Sequence, residues 1–263
     1  MWVGLAVALA GAGLTLQLDH NRVATYVKDY DASVDNRFSL WPSNTTVNEA
    51  CVVPGWVICG IGWDKRGHMY PLIDDQHVLL CHNQVPPSIF FRDGVDQLHR
   101  RRIVDTFTLA EDRNGDAWIR VARLRSALPA TVIPLPISIP KSDTRLPGRH
   151  YVVGRGGAIG SLGDCFAMVN ATISKAKEAV EFRGVIISAY EPMLPKAVVL
   201  GSGDSGSPLI SVVNDQWTLV GLAHSISYEE SSNQITKHFF AMAGAHISEM
   251  KDCGAMPNTD SPW

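Results

Sequence analysis

The chain has 263 residues, 46% of them hydrophobic, and a formal net charge of -3. That length supports one large domain or a two-lobed protein with real cores. The near-neutral balance gives no electrostatic reason for a nucleic-acid or anionic-membrane partner. The cysteines, Cys51, Cys59, Cys81, Cys165 and Cys253, are too few for a disulfide-built scaffold and odd in number, and no C-x-x-C pair or His/Cys cluster points to zinc.

Residues 2–18 are almost wholly apolar and small, and Ala10-Gly11-Ala12 reads as an A-x-A cleavage site. Residues 1–18 are therefore expected to be a secretory signal or, since their length approaches what spans a bilayer, an uncleaved membrane anchor. Residues 19–50 are polar and irregular, an expected linker or wrapping arm. From Val52 the texture changes to short apolar runs with turn residues between them. Trp56 to Trp63 reads as a strand, with Asp64-Lys65-Arg66-Gly67 as its turn, and Met69 to Ile73 and His77 to His82 follow as two more. Strand runs separated by short polar turns predict antiparallel sheet and not βαβ units.

Arg100-Arg101-Arg102 is the tight basic run, read as a solvated strand end. Residues 100–108 and 116–124 form a predicted hairpin, with Asn114-Gly115 in its turn. Further strands are expected at Ala167 to Ser174, Val180 to Ser188, Lys196 to Leu200, Leu209 to Val213, Trp217 to Ser225 and Gln234 to Ala241, then a helix from Ala243 to Lys251.

Gly201-Ser202-Gly203-Asp204-Ser205-Gly206-Ser207-Pro208 stands between two of these runs. Its glycines permit positive φ and close approach of another molecule to a single central hydroxyl. A serine becomes a nucleophile when it has a base and donors for the oxyanion it creates. The backbone N–H groups of Gly203 and Ser205 are candidate donors. The nucleophile motif of α/β hydrolases, G-x-S-x-G, is excluded because its last position is Ser207.

Gly203 to Pro208 resembles the nucleophile motif of the chymotrypsin-like serine peptidases, in a variant with Ser before the Pro. Pro71 to His82 resembles that family's segment leading to the catalytic His, with Cys81 before His82 where the family has Cys after it; a Cys59–Cys81 bridge is one substitute. Asp116-Ala117-Trp118-Ile119-Arg120-Val121-Ala122-Arg123-Leu124 resembles the segment that carries the catalytic Asp, and Val132 to Pro136 its crossover between lobes. Asp105 and Asp112 are nearby rivals for the acid, Asp112 belonging rather to the turn, while Asp74 and Asp75 lie too close in sequence to His82. The order His82, Asp116, Ser205 is the family's own.

The resemblance implies an all-β fold: two antiparallel six-stranded β-barrel lobes, residues 51–140 and 141–252, with the active site between them, a short C-terminal helix and a tail at 253–263. It implies a serine endopeptidase with His82, Asp116 and Ser205 as triad and Gly203 and Ser205 as oxyanion donors. Val199, Leu200, His224 and Ser225 then line the substrate pocket. An apolar base at Val199 disfavours cleavage after Arg or Lys, whose charge would be buried without a partner. His224 reads equally as a contact for a substrate carboxylate and as a structural residue. Asp204 has no Arg-Ile-Val-Gly-Gly-like new terminus to pair with; bonding within its own turn is sufficient. The expected partner is a protein or peptide substrate, without metal or cofactor, and the expected state is an exported monomer, secreted or periplasmic. The alternatives are a catalytically silent, protease-like binding protein and an esterase using the same Ser and His.

Overall fold

The structure is a computed structural model that describes residues 53–81, 85–95, 97–111, 117–139, 144–154, 159–162, 165–169, 172–175, 178–181, 185–190, 204–229 and 234–259. The first departure from the sequence reading comes at once. Instead of a strand from Trp56, the chain makes a helical turn, α1 (Gly55–Cys59), and the strand β1 is only Ile61–Trp63. Pro54 explains the turn: its carbonyl accepts from the N–H groups of Val57, 3.0 Å, and Ile58, 3.1 Å. A short, wholly apolar run carries no period of its own, so the burial of Val57, Ile58 and Cys59 decides its conformation.

The strands β2 (Met69–Pro71), β3 (His77–Leu80), β4 (Ser88–Arg92), β5 (Leu98–Glu111) and β6 (Ala117–Leu124) complete the first lobe. They form one six-stranded antiparallel sheet in the order β2-β1-β4-β5-β6-β3. Its two ends meet at the Leu72–Val78 bridge, which nearly closes the sheet into a barrel. The β5–β6 hairpin appears as expected, with Phe107 opposite Val121. Inside the barrel lie Tyr70, Leu72, Val78, Leu80, Ile89, Phe91 and Leu124, all buried.

The second lobe comprises β7 (Thr144–Arg145), β8 (Arg149–Val153), β9 (Ile159–Leu162), β10 (Cys165–Val169), β13 (Val185–Tyr190), β14 (Pro208–Val213), β15 (Gln216–Glu229) and β16 (Gln234–Met242). These make an eight-stranded antiparallel sheet in the order β7-β10-β13-β16-β15-β14-β8-β9. Between β10 and β13 the hairpin β11 (Thr172–Lys175) and β12 (Glu178–Glu181) stands as a separate pair. The expected six strands are thus eight in the main sheet, and the single runs read at 167–174 and 180–188 are each two strands. A 3-10 turn (Ala243–His246) and α2 (Ile247–Asp252) end the fold as a short C-terminal helix.

A second buried cluster joins the halves. It takes Leu79, Cys81, Ile119 and Val121 from the first lobe, Tyr151, Ile210 and Leu222 from the second, and Met250 and Ala255 from the C-terminal segment. Each such aliphatic side chain contributes about 1.5–3 kcal/mol through removal from water. Strand β3 is consequently buried on both faces: Val78 and Leu80 point into the barrel cluster, Leu79 and Cys81 into the shared one. That is why His77 to Cys81 reads as a nearly continuous apolar run and not as an alternating one. The crossover runs through this seam, with bonds from Leu135 N to Leu72 O, 2.8 Å, and from Ser138 N to Leu219 O, 2.9 Å. Gly244 packs so tightly on the Ser138 carbonyl that a Cβ there would overlap it.

Candidate active site

Ser205 sits at the second position of a β-turn closed by Ser207 N–H donating to Asp204 O, 2.9 Å. Gly206, at the third position, has φ 88°, a value a side chain disfavours, so the glycine after the serine is a backbone requirement. The turn is tied to β15 by two bonds, Gly206 N to Ala223 O and Ala223 N to Ser207 O, both 2.8 Å. Strand β14 starts immediately afterwards, with Pro208 opposite Leu222. The hydroxyl is thereby presented from a stiff frame. Ser205 is 7% exposed and Asp204 1%, so both are buried, with the serine keeping slightly more contact with solvent.

Two further residues lie on the segments that pack around this turn. The β15–β16 register slips by one residue at His224, since Ala223 pairs with Phe240 and Ser225 with Phe239. Such a bulge re-aims the side chain at its centre, and here it places half-buried His224 directly after the residue that anchors the Ser205 turn. The other is Cys81, at the end of β3, in the buried cluster that also holds Ile210 and Leu222; burial pushes its thiol up to about 12, and the Gly206 backbone N–H opposes that shift. Cys81 is a free thiol, so the Cys59–Cys81 bridge is not formed.

His82, Asp116, Gly203, Val199 and Leu200 lie outside the described residues, and Ser225 is described in its backbone alone. What is described are their chain neighbours. Strands β3 and β6 are antiparallel with Leu80 opposite Arg120. Cys81, which precedes His82, and Ala117, which follows Asp116, therefore mark the same end of one ladder. Of the rival acids, Asp105 is half exposed and ion-paired with Arg123 at 3.6 Å.

Asp74 is a different case. Its carboxylate holds His77 Nδ1 at 2.9 Å, the orientation in which an Asp supports a catalytic imidazole. However, Cys81 lies four residue steps along the strand from His77, about 13 Å at the rise of a strand. This pair stands at the wrong end of β3. It belongs to a recurring device of the first lobe. Asp64, Asp74 and Asp93 each begin a turn, accept from two backbone N–H groups, and bind the ring of His68, His77 or His99. Burial alone would raise these carboxyls, but the His contacts and backbone N–H groups outweigh it, hold all three below the ordinary range, and bring Asp93 to about 2.

Sequence reasoning missed one Ser–His pair. His150 Nδ1 lies 2.7 Å from Ser211 Oγ, and His150 Nε2 lies 3.3 Å from Leu146 O. A carbonyl only accepts, so Nε2 carries the proton and Nδ1 accepts from the hydroxyl. Ser211 is 0% exposed, so no substrate reaches it. The two residues are 61 apart, and a single Ser in an apolar strand gives no signal to find it by. Among the described residues no group of three or more His, Cys, Asp or Glu side chains could hold a metal ion.

No family model matches this chain, and no curated protein matches it either.

Proposed function

We propose that the protein is a serine endopeptidase acting through Ser205, His82 and Asp116. The observation that carries this reading is the packing of Cys81, the residue before His82, in one buried cluster with Ile210 and Leu222 of the two strands that hold the Ser205 turn. The positive-φ turn and the shared end of the β3–β6 ladder support it. In this reading the eight-stranded sheet curls into a second barrel and the cleft lies between the lobes. Ser205 Oγ attacks a peptide carbonyl while His82 takes its proton, and Asp116 holds the imidazole tautomer and stabilises the imidazolium. The Gly203 and Ser205 N–H groups receive the oxyanion. His82 passes the proton to the leaving amine, and water then releases the acyl group by the reverse sequence. Val199, Leu200, His224 and Ser225 contact the substrate side chain. The segment 1–18 directs export; among the described residues no helix is long and apolar enough to cross a membrane.

A fluorophosphonate probe tests this. Native protein is expected to be labelled at Ser205 and to cleave denatured casein, whereas His82→Ala should do neither. Undiminished labelling of the His82→Ala protein would exclude His82 as the base. One observation favours a second reading, a silent protease-like binding protein: Ser205 is only 7% exposed. Intact protein that binds a peptide ligand yet resists the probe would establish that alternative.

A further inference from the structure

We propose that the C-terminal segment is a strap that sets the position of β3 relative to the nucleophile turn, with Asp74 as its anchoring residue. The role assigned to β3 rests on the peptidase reading above; the mechanical role does not. After α2 the chain reverses at Gly254, φ 88°, with Gly254 N donating to Lys251 O at 2.9 Å and Ala255 N to Met250 O at 3.0 Å. The reversal sends residues 255–258 back onto the first lobe. Ala255 enters the shared core. Met256 N donates to Asp74 Oδ2 at 2.7 Å, and Asn258 O accepts from Ile137 N at 2.7 Å.

Asp74 is already committed to the entry of β3. Its Oδ1 accepts from Gln76 N at 2.8 Å and from His77 N at 2.7 Å. One carboxylate thus joins the first residue of β3 to the tail of the second lobe. At the other end of the same strand, Cys81 is packed in the buried cluster that holds Ile210 and Leu222. Both ends of β3 are therefore held by the C-terminal half of the chain, although the strand belongs to the first lobe. A strand of four residues held at both ends has little freedom to slide. The residue that follows Cys81 is His82, so the strap is a remote determinant of the distance on which proton transfer depends; a misplacement of about 1 Å is enough to cost roughly 100-fold in rate.

The Met256 side chain is 72% exposed, so the backbone donor can be removed without loss of packing. Met256→Pro deletes that N–H. Pro257 already confines residue 256 to the extended region, which accommodates a proline ring. Met256→Ala keeps the donor and is the first control. Leu146→Ala, buried in the second lobe away from β3, is the second, because it lowers stability without touching the strap.

Hydrogen exchange of the full chain is the primary measurement. Met256→Pro is expected to speed exchange at Val78, Leu79 and Leu80 at least about 10-fold while β14 and β15 change little, with Met256→Ala like the native chain. In casein cleavage, Met256→Pro should lower kcat about 10-fold with KM within about twofold, whereas Leu146→Ala at equal or greater loss of Tm should leave kcat unchanged. Unaltered exchange along β3 in Met256→Pro overturns the strap. Altered exchange with unaltered kcat overturns its role in positioning. A native chain that neither labels nor cleaves refutes the peptidase reading instead, and exchange along β3 still decides whether the strap exists.

Discussion

Ser205 and Ser211 lie six residues apart on one stretch of chain, and their surroundings are opposite. Ser211 has a buried imidazole at 2.7 Å and is itself fully enclosed. Ser205 stands on a turn just before β14, retains 7% exposure, and is followed by a positive-φ glycine. The comparison teaches that a serine–histidine bond is not by itself a catalytic signature. A hydroxyl inside a strand satisfies an imidazole and holds two strands together, β8 and β14, which are paired at His150 and Ser211. A hydroxyl on a positive-φ turn is displayed to whatever arrives from outside.

The largest effect that separates the two is on turnover. Ser205→Ala should reduce casein cleavage by roughly 1,000-fold or more with Tm unchanged within a few degrees, while Ser211→Ala retains most activity. Equal activity in the two variants would erase the distinction. Next comes Gly206→Ala. A methyl group at φ 88° costs about 1–2 kcal/mol and displaces the turn, so labelling of Ser205 should slow by about 10-fold. Labelling at the native rate would show that the turn geometry is not needed.

Ser211→Ala has the complementary signature. It leaves buried His150 Nδ1 without its donor, which costs about 1–3 kcal/mol, read as a lower midpoint in urea with cleavage maintained. The smallest effect is on pH dependence, since neither serine titrates in the range where the fold survives. Acid sensitivity then falls on Asp64, Asp74 and Asp93, all held below the ordinary carboxylate range. A depressed carboxyl stabilises fully above about pH 4 and loses that contribution as pH falls toward its folded value. Stability should be level above about pH 7 and slope gently as pH falls through about 6.5, because burial makes His246 resist protonation in the fold. It should decline further between about pH 4 and 2. Asp93→Asn should lower the plateau and flatten part of that decline, whereas Ser211→Ala should shift the whole curve without changing its shape.

Much of the scaffold is legible from residues alone, because the signals are local. The β5–β6 hairpin announces itself through its turn, and the Ser205 turn through a glycine that the backbone needs at 206. The terminal helix follows a clear change of texture at Ala243. What is not legible depends on contacts made far along the chain. Pro54 and the burial of three consecutive residues turn Gly55–Cys59 into a helical turn, although the same run suits a strand. The His150–Ser211 pair and the Met256–Asp74 bond join residues 61 and 182 positions apart, and no period or spacing encodes such pairs. Of the Asp–His turns, the one at Asp64 is read from the sequence, and only as a turn. Their imidazoles became meaningful once the strands brought His68, His77 and His99 back over Asp64, Asp74 and Asp93.

The packing of Cys81 with Ile210 and Leu222 has a practical consequence. Its thiol is free and buried, so these sequence-distant segments are brought together by shape and apolar contact without any covalent staple at that point. Their assembly should then be indifferent to the redox state of the surroundings. Refolding with excess dithiothreitol should return the same yield of probe-reactive protein as refolding in air, and an alkylating reagent should reach Cys81 only after the chain has opened.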